Sequence, residues 1–175
     1  NLKVNSTKMI AALKAGNGYM PLAETTILSD GYFKLLLPDV VLGYSYLTSP
    51  KIICEEIDVS PASLKVAIVD SFWLFDSNET LIGHVFQGTT RLSINGPLGE
   101  RIVARWYANQ NGQVTCSKNC SARGRAVCCE LYLKKGWNNV VRHFHSESEE
   151  FMHTNQNINS LNWFITMSEI SNEVL

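Results

Sequence analysis

Charge is scarce in this chain. Asp, Glu, Lys and Arg make up 18% of the 175 residues and sum to −1; an average soluble protein carries about a quarter. The concentrated basic face of a nucleic-acid binder is not indicated. Long apolar runs are missing as well. The longest, Leu35-Leu36-Leu37-Pro38-Asp39-Val40-Val41-Leu42, is broken by Pro38 and Asp39 and falls far short of the roughly twenty residues of a membrane-spanning helix. No stretch sustains a helical period, and there is no internal repeat. The catalytic signatures G-x-S-x-G, H-E-x-x-H and the P-loop are all absent. Ser71 beside Asp70, with a histidine far away, is the coincidence any chain of this size offers, and no spacing places a histidine near Cys54 to activate it. The expected role is non-enzymatic, with no cofactor.

Turn residues, by contrast, recur at short intervals. Between them lie runs rich in β-branched and aromatic residues, at 8–13, 24–28, 32–37, 51–57, 64–76, 80–86, 89–94, 101–108, 114–116, 126–133, 137–145 and 161–167. The first run reads equally well as a short helix. The second and third, joined at Ser29-Asp30-Gly31, read as a hairpin whose second strand Pro38 closes. The pattern predicts a single all-β domain over residues 1–175, a sandwich of about ten short strands. A domain of this size buries roughly two-thirds of its unfolded surface and needs no covalent staple for want of core.

Staples are nevertheless expected. Four of the five cysteines fall within fourteen residues, at Cys116, Cys120, Cys128 and Cys129, with Cys54 far upstream. Such a cluster means disulfides in an oxidising compartment or a metal in a reducing one. The zinc reading, C-x3-C-x7-C-C, lacks the paired C-x2-C knuckles of structural zinc sites. Adjacent strand residues face opposite ways, so Cys128 and Cys129 call for different partners among Cys116, Cys120 and Cys54. Barring a strained vicinal Cys128–Cys129 bond, the four clustered cysteines allow two pairings, of which Cys116–Cys129 with Cys120–Cys128 nests like a hairpin; either leaves Cys54 free and buried.

Between these cysteines stand Lys118, Arg123 and Arg125, with no acid among them. They are either a preorganised site for an anionic ligand or a solvated tip that keeps a strand end soluble. His143 and His145 share a strand face and, with His153 or His84, are the alternative metal site, for copper or zinc. Ser146-Glu147-Ser148-Glu149-Glu150 reads as a solvated turn, since it lacks the spacing and glycine of a calcium loop. Trp73, Trp106, Trp137 and Trp163 fall in expected strands and are core candidates.

Two segments carry a resemblance. Leu28-Ser29-Asp30-Gly31-Tyr32-Phe33-Lys34-Leu35-Leu36-Leu37-Pro38 is similar to a turn-and-strand pattern of exported bacterial β-sandwich domains, including transthyretin-like and carboxypeptidase-regulatory-like modules. Leu131-Tyr132-Leu133-Lys134-Lys135-Gly136-Trp137-Asn138-Asn139-Val140-Val141 resembles the strand–turn–strand near the end of many bacterial secreted proteins and lipoproteins. Val103–Ala108, with the cysteine hairpin after it, has the same look. The resemblance implies an immunoglobulin- or transthyretin-like sandwich with a cysteine-stapled hairpin, exported to the periplasm, the cell surface or the medium. The expected function is structural or ligand-binding. A lipid anchor is possible, and a hydrolase on the same scaffold is the remoter alternative. The resemblance supplies no catalytic residues.

Overall fold

A computed structural model of the chain describes residues 7–15, 18–39, 41, 47–54, 56–69, 71–89, 101–116, 120–122, 125–146, 149–154, 158 and 161–167. Among them the chain is all-β. In order come β1 (Thr7–Ala15), β2 (Gly18–Ile27), β3 (Ile57–Ser60), β4 (Val66–Val69), β5 (Phe72–Phe75), β6 (Leu81–Gly88) and β7 (Arg101–Ala108). Then follow β8 (Gly112–Cys116), β9 (Ser121–Ala122), β10 (Arg125–Leu133), β11 (Gly136–Phe144), β12 (Glu149–Thr154) and β13 (Asn162–Met167). A single 3-10 turn, Pro50–Ile52, is the only helical element among the described residues.

All these strands join one sheet, in the order β2-β1-β5-β6-β7-β11-β12-β10-β8-β3, with β13 on β6, β4 on β7 and β9 on β10. The sheet ends at β2 and β3 without closing, so it is open rather than a barrel. Every pairing is antiparallel except β10 with β12. Although a tight turn joins β10 to β11, β12 lies between them: the β11–β12 hairpin folds back into that gap.

The sheet folds over itself at β7. Strand β6 pairs with β7 only at Gln87↔Val103 and Gly88↔Ile102, and then β4 takes over that edge through Val66↔Ala108 to Val69↔Arg105. Alternation along β4 and β7 therefore feeds two cores. Val66, Ala104 and Trp106 face one, with Val114, Leu131 and Val140. Ala67, Val69 and Tyr107 face the other, with Met9, Leu74 and Val85. Each fully buried leucine, such as Leu64 or Leu131, contributes about 2 kcal/mol through the area it removes from water.

The two segments that carry the resemblance meet in the fold. Gly136 turns the chain from β10 into β11 at φ +97°, a conformation that a side chain disfavours. Asn138, buried, ties that turn: its Oδ1 accepts from the Lys134 N–H at 2.9 Å, and its Nδ2 donates to the carbonyls of Lys134 and Gly136 at 2.8 and 2.9 Å. Between them Trp137 packs edge-on against Tyr107 and donates Nε1–H to the Pro38 carbonyl at 2.7 Å. The Gly-Trp-Asn triplet is thus an architectural clamp across 99 residues of sequence. Trp137→Phe keeps most of the packing and leaves the Pro38 carbonyl unpaired. It is expected to cost about 1 kcal/mol, read as a lower urea midpoint at unchanged slope.

Several expected elements come out differently. Residues 8–13 are a strand, β1, and not a helix. Asp30 and Gly31 do make a turn, with Asp30 Oδ1 accepting from the Tyr32 N–H and Gly31 at φ +83°. Residues 32–38, however, form no ladder, so the expected hairpin is a turn followed by an extended strap. Phe33, Leu35 and Leu37 pack on the second core while Tyr32 and Leu36 point to solvent, so alternation is kept without a strand partner. The run at 51–57 is mostly the 3-10 turn and its exit, because Pro50 starts a turn that Ser49 caps. The run at 64–76 is two strands, β4 and β5, serving different neighbours. The run at 89–94 lies, beyond Thr89, outside the described residues. The acidic stretch is no mere turn, since Glu149 and Glu150 begin β12.

Candidate functional site

The cysteine-bearing end of the molecule is built by β3, β8 and β10. Glu130↔Thr115 is the last pair of the β8–β10 ladder, and one step beyond it Cys129 stands opposite Cys116. The two are bonded, with Cα atoms 4.8 Å apart. Cys116 and Cys129 both face the first core, as do Cys54 and the buried Cys120. Cys128 turns the other way and is exposed. The nested second bridge, Cys120–Cys128, is therefore not formed: both thiols are free, and the sheet divides them between core and solvent. The opposite-face argument for Cys128 and Cys129 holds, and of the bridges it allows the structure forms Cys116–Cys129.

Of the three expected cations, Lys118 and Arg123 lie outside the described residues. Only the backbone of Arg125 is described, pairing with Ala122 at the start of β10.

The outer face beside Cys128 carries the histidines. The parallel register sets Cys128 beside Phe151 and Glu130 beside His153. His143 and His145 meet edge to face with ring centres 6.3 Å apart, and His145 meets Phe151 in the same way at 5.6 Å. His153 lies beyond Phe151, stacked on it at 6.4 Å. The structure thus gathers three of the four histidines along one strip, with an aromatic ring between the third and the other two. Among the described residues no three His, Cys, Asp or Glu side chains gather to hold a metal ion. Farther along the strip Tyr132, exposed, donates its hydroxyl to Glu130 at 2.5 Å, and that bond raises its pKa.

His84 belongs elsewhere, on β6 between Trp73 and Thr166. Its ring meets Trp73 edge-on at 5.2 Å, and its Nδ1 is buried without a hydrogen-bond partner. Burial holds its pKa below the usual 6.5. The unfolded chain takes up this proton near 6.5, the folded chain only at lower pH. The stability contributed by neutral His84 is full above about pH 6.5 and is lost as pH falls from there through the folded value. A series of thermal midpoints between about pH 7.5 and 5.5 should decline more steeply for the native sequence than for His84→Phe. Parallel curves would show that His84 does not titrate differently on folding.

One charged group escaped the sequence reading. Arg105, on β7, is half-buried with no carboxylate beside it among the described residues. Its Nη2 donates to Gln87 Oε1 at 2.6 Å, and Gln87 is itself held through Nε2 by the carbonyls of Ile158 and Leu161 at 3.2 and 3.3 Å. Its guanidinium lies 5.9 Å from the Trp163 ring centre, and Nη1 is buried without a partner. Burial brings its pKa down to about 10, which leaves it charged at neutral pH. The arrangement has spare donor capacity for a carboxylate or phosphate oxygen. The only sequence signal was an arginine at an inward-alternating position of a strand, Val103-Ala104-Arg105-Trp106-Tyr107.

No family model, curated protein or solved structure matches this chain. A functional reading has to come from the chemistry of its own residues.

Proposed function

We propose that the chain is an exported bacterial protein, secreted, periplasmic or attached to the cell surface, whose β-domain has a structural or ligand-binding role without catalysis. The observation that carries this is the Cys116–Cys129 disulfide. Such bonds persist outside the reducing cytosol, and a core of this size does not depend on one. The Trp137–Pro38 contact supports an architectural role for both motif segments. The immunoglobulin- or transthyretin-like kinship and the lipid anchor belong to the same proposal. The ligand is anionic and meets Lys118, Arg123 and Arg125, which the sequence sets between the bridged cysteines.

Cys128 offers the test, because its thiol is free and exposed. A membrane-impermeant maleimide added while spheroplasts of the native cell are prepared is expected to label the protein at Cys128, whether it stays on the spheroplasts or is released to the medium. Labelling only after lysis would sink the exported reading. For the ligand, heparin serves as the anionic probe. The triple variant K118A/R123A/R125A is expected to elute from immobilised heparin at lower salt than the native chain, and equal elution would remove the anion-binding part.

A further inference from the structure

We propose that Cys54 and Cys120 form a second disulfide in the exported protein, so that four of its five cysteines are bridged and Cys128 alone stays free. The inference rests on the exported reading above and adds a modification site to it.

Geometry favours one partner for each thiol. Cys54, Cys116, Cys120 and Cys129 pack in one core, and Cys116 is already bonded to Cys129. Cys120 is buried in that core and Cys54 packs against it, close enough for the Cys54 thiol to raise the Cys120 pKa. Cys128 projects from the opposite face of β10 and is exposed; its influence on Cys120 is the smallest of those acting there, behind that of Cys54. Local structure holds both partners in place. Cys54 leaves the 3-10 turn pinned by Ile53 N–H to the Pro50 carbonyl at 3.0 Å. It precedes β3, whose Ile57 pairs with Cys116. Cys120 is tied through its carbonyl to the Val127 N–H at 2.8 Å. A disulfide needs the two Cα atoms within about 7 Å, and a shared core brings these thiols together on one side of the sheet.

The step balances simply. Cys54 and Cys120 each give up a proton and together two electrons to a disulfide oxidant, either glutathione disulfide or a thiol–disulfide oxidoreductase of the oxidising compartment. One S–S bond forms in the protein while one S–S bond of the oxidant opens to two thiols. Burial, and then the Cys54 thiol, push the pKa of Cys120 up to about 12. The thiolate that attacks is therefore rare in the folded reduced protein, and oxidation belongs to folding rather than to the finished core. The resulting bridge crosses Cys116–Cys129 in sequence and anchors the chain between them at a further point. Lys118, Arg123 and Arg125 lie on that stretch.

The test is a thiol count on the full chain purified from its exporting host. Free thiols are blocked with N-ethylmaleimide in denaturant without reductant, so that burial hides none, and the labels are located by peptide mass. The expected result is a single label, on Cys128, with Cys54 and Cys120 recovered as one linked pair and all five cysteines labelled after reduction. Three labels, on Cys54, Cys120 and Cys128, would overturn this inference while leaving Cys116–Cys129 and the exported reading intact. A single label on Cys54, with Cys120 linked to Cys128, would overturn it too. Five labels without reduction would overturn both.

Discussion

Replacing Cys116 or Cys129 by alanine is expected to lower the thermal midpoint of the oxidised protein by about 10 °C, and replacing both is expected to lower it little further. The bridge closes a loop over a sequence separation of 13 residues. Confining a loop of that length in the unfolded ensemble is worth about 3 kcal/mol. In a domain of this size each kcal/mol moves the midpoint by about 2–4 °C. The non-additivity is the diagnostic, because either single replacement already removes the whole cross-link. What the second replacement adds is only the small cavity left by one more sulfur. Thermal midpoints of the two single variants, the double variant and the native chain, each with and without reductant, make the comparison. Reductant should bring the native chain close to the variants measured in the same reductant. Two additive losses, indifferent to reductant, would show that the thiols contribute by packing and are not bonded.

The bridge was legible in the sequence because it rests on a local rule. In a strand, neighbouring side chains take opposite faces, and two cysteines straddling a hairpin can stand opposite each other. The shared core of Cys54 and Cys120 was not legible, because Cys54 reaches it through a turn and a strand far away in sequence. Most strands were visible for the same local reason. Arg101–Ala108 and Leu161–Met167 alternate between turn residues and appear as β7 and β13 within a residue. The extended strap at 32–38 has the same alternation, yet it pairs with nothing. Alternation reports that one face is buried, and a ladder further requires a partner strand beside it. Strand β12 failed in the opposite sense. Its opening, Glu149-Glu150, has the composition of a solvated turn, and its place between β10 and β11 comes from the fold-back of a hairpin, which no local pattern records. The histidine strip shows both limits at once. His143 and His145 came together as spacing predicted, while His153 joined them only through the register of β12.

Glu150 makes the second large effect, and it follows from that unexpected strand. Its carboxylate is almost wholly buried and takes both forks of the Arg142 guanidinium, with Nε at 2.5 Å and Nη2 at 3.0 Å. The pair spans the β11–β12 hairpin, and the Arg142 guanidinium also lies 5.5 Å from the Phe144 ring centre. Glu150→Ala strands a partly buried cation and is expected to cost about 3 kcal/mol, the lower end for a broken buried pair, because Arg142 keeps some contact with water. Arg142→Ala strands the more deeply buried carboxylate and should cost at least as much at neutral pH. Replacing both at once by leucine and methionine restores an uncharged pair of similar volume and should recover most of the stability. Urea midpoints of the three variants and the native chain at neutral pH test this. Recovery in the double variant means that Arg142 and Glu150 match each other's burial without driving the fold. An unrecovered double variant would mean that their paired hydrogen bonds set the register of β12, and with it the position of Phe151 and His153 on the outer face.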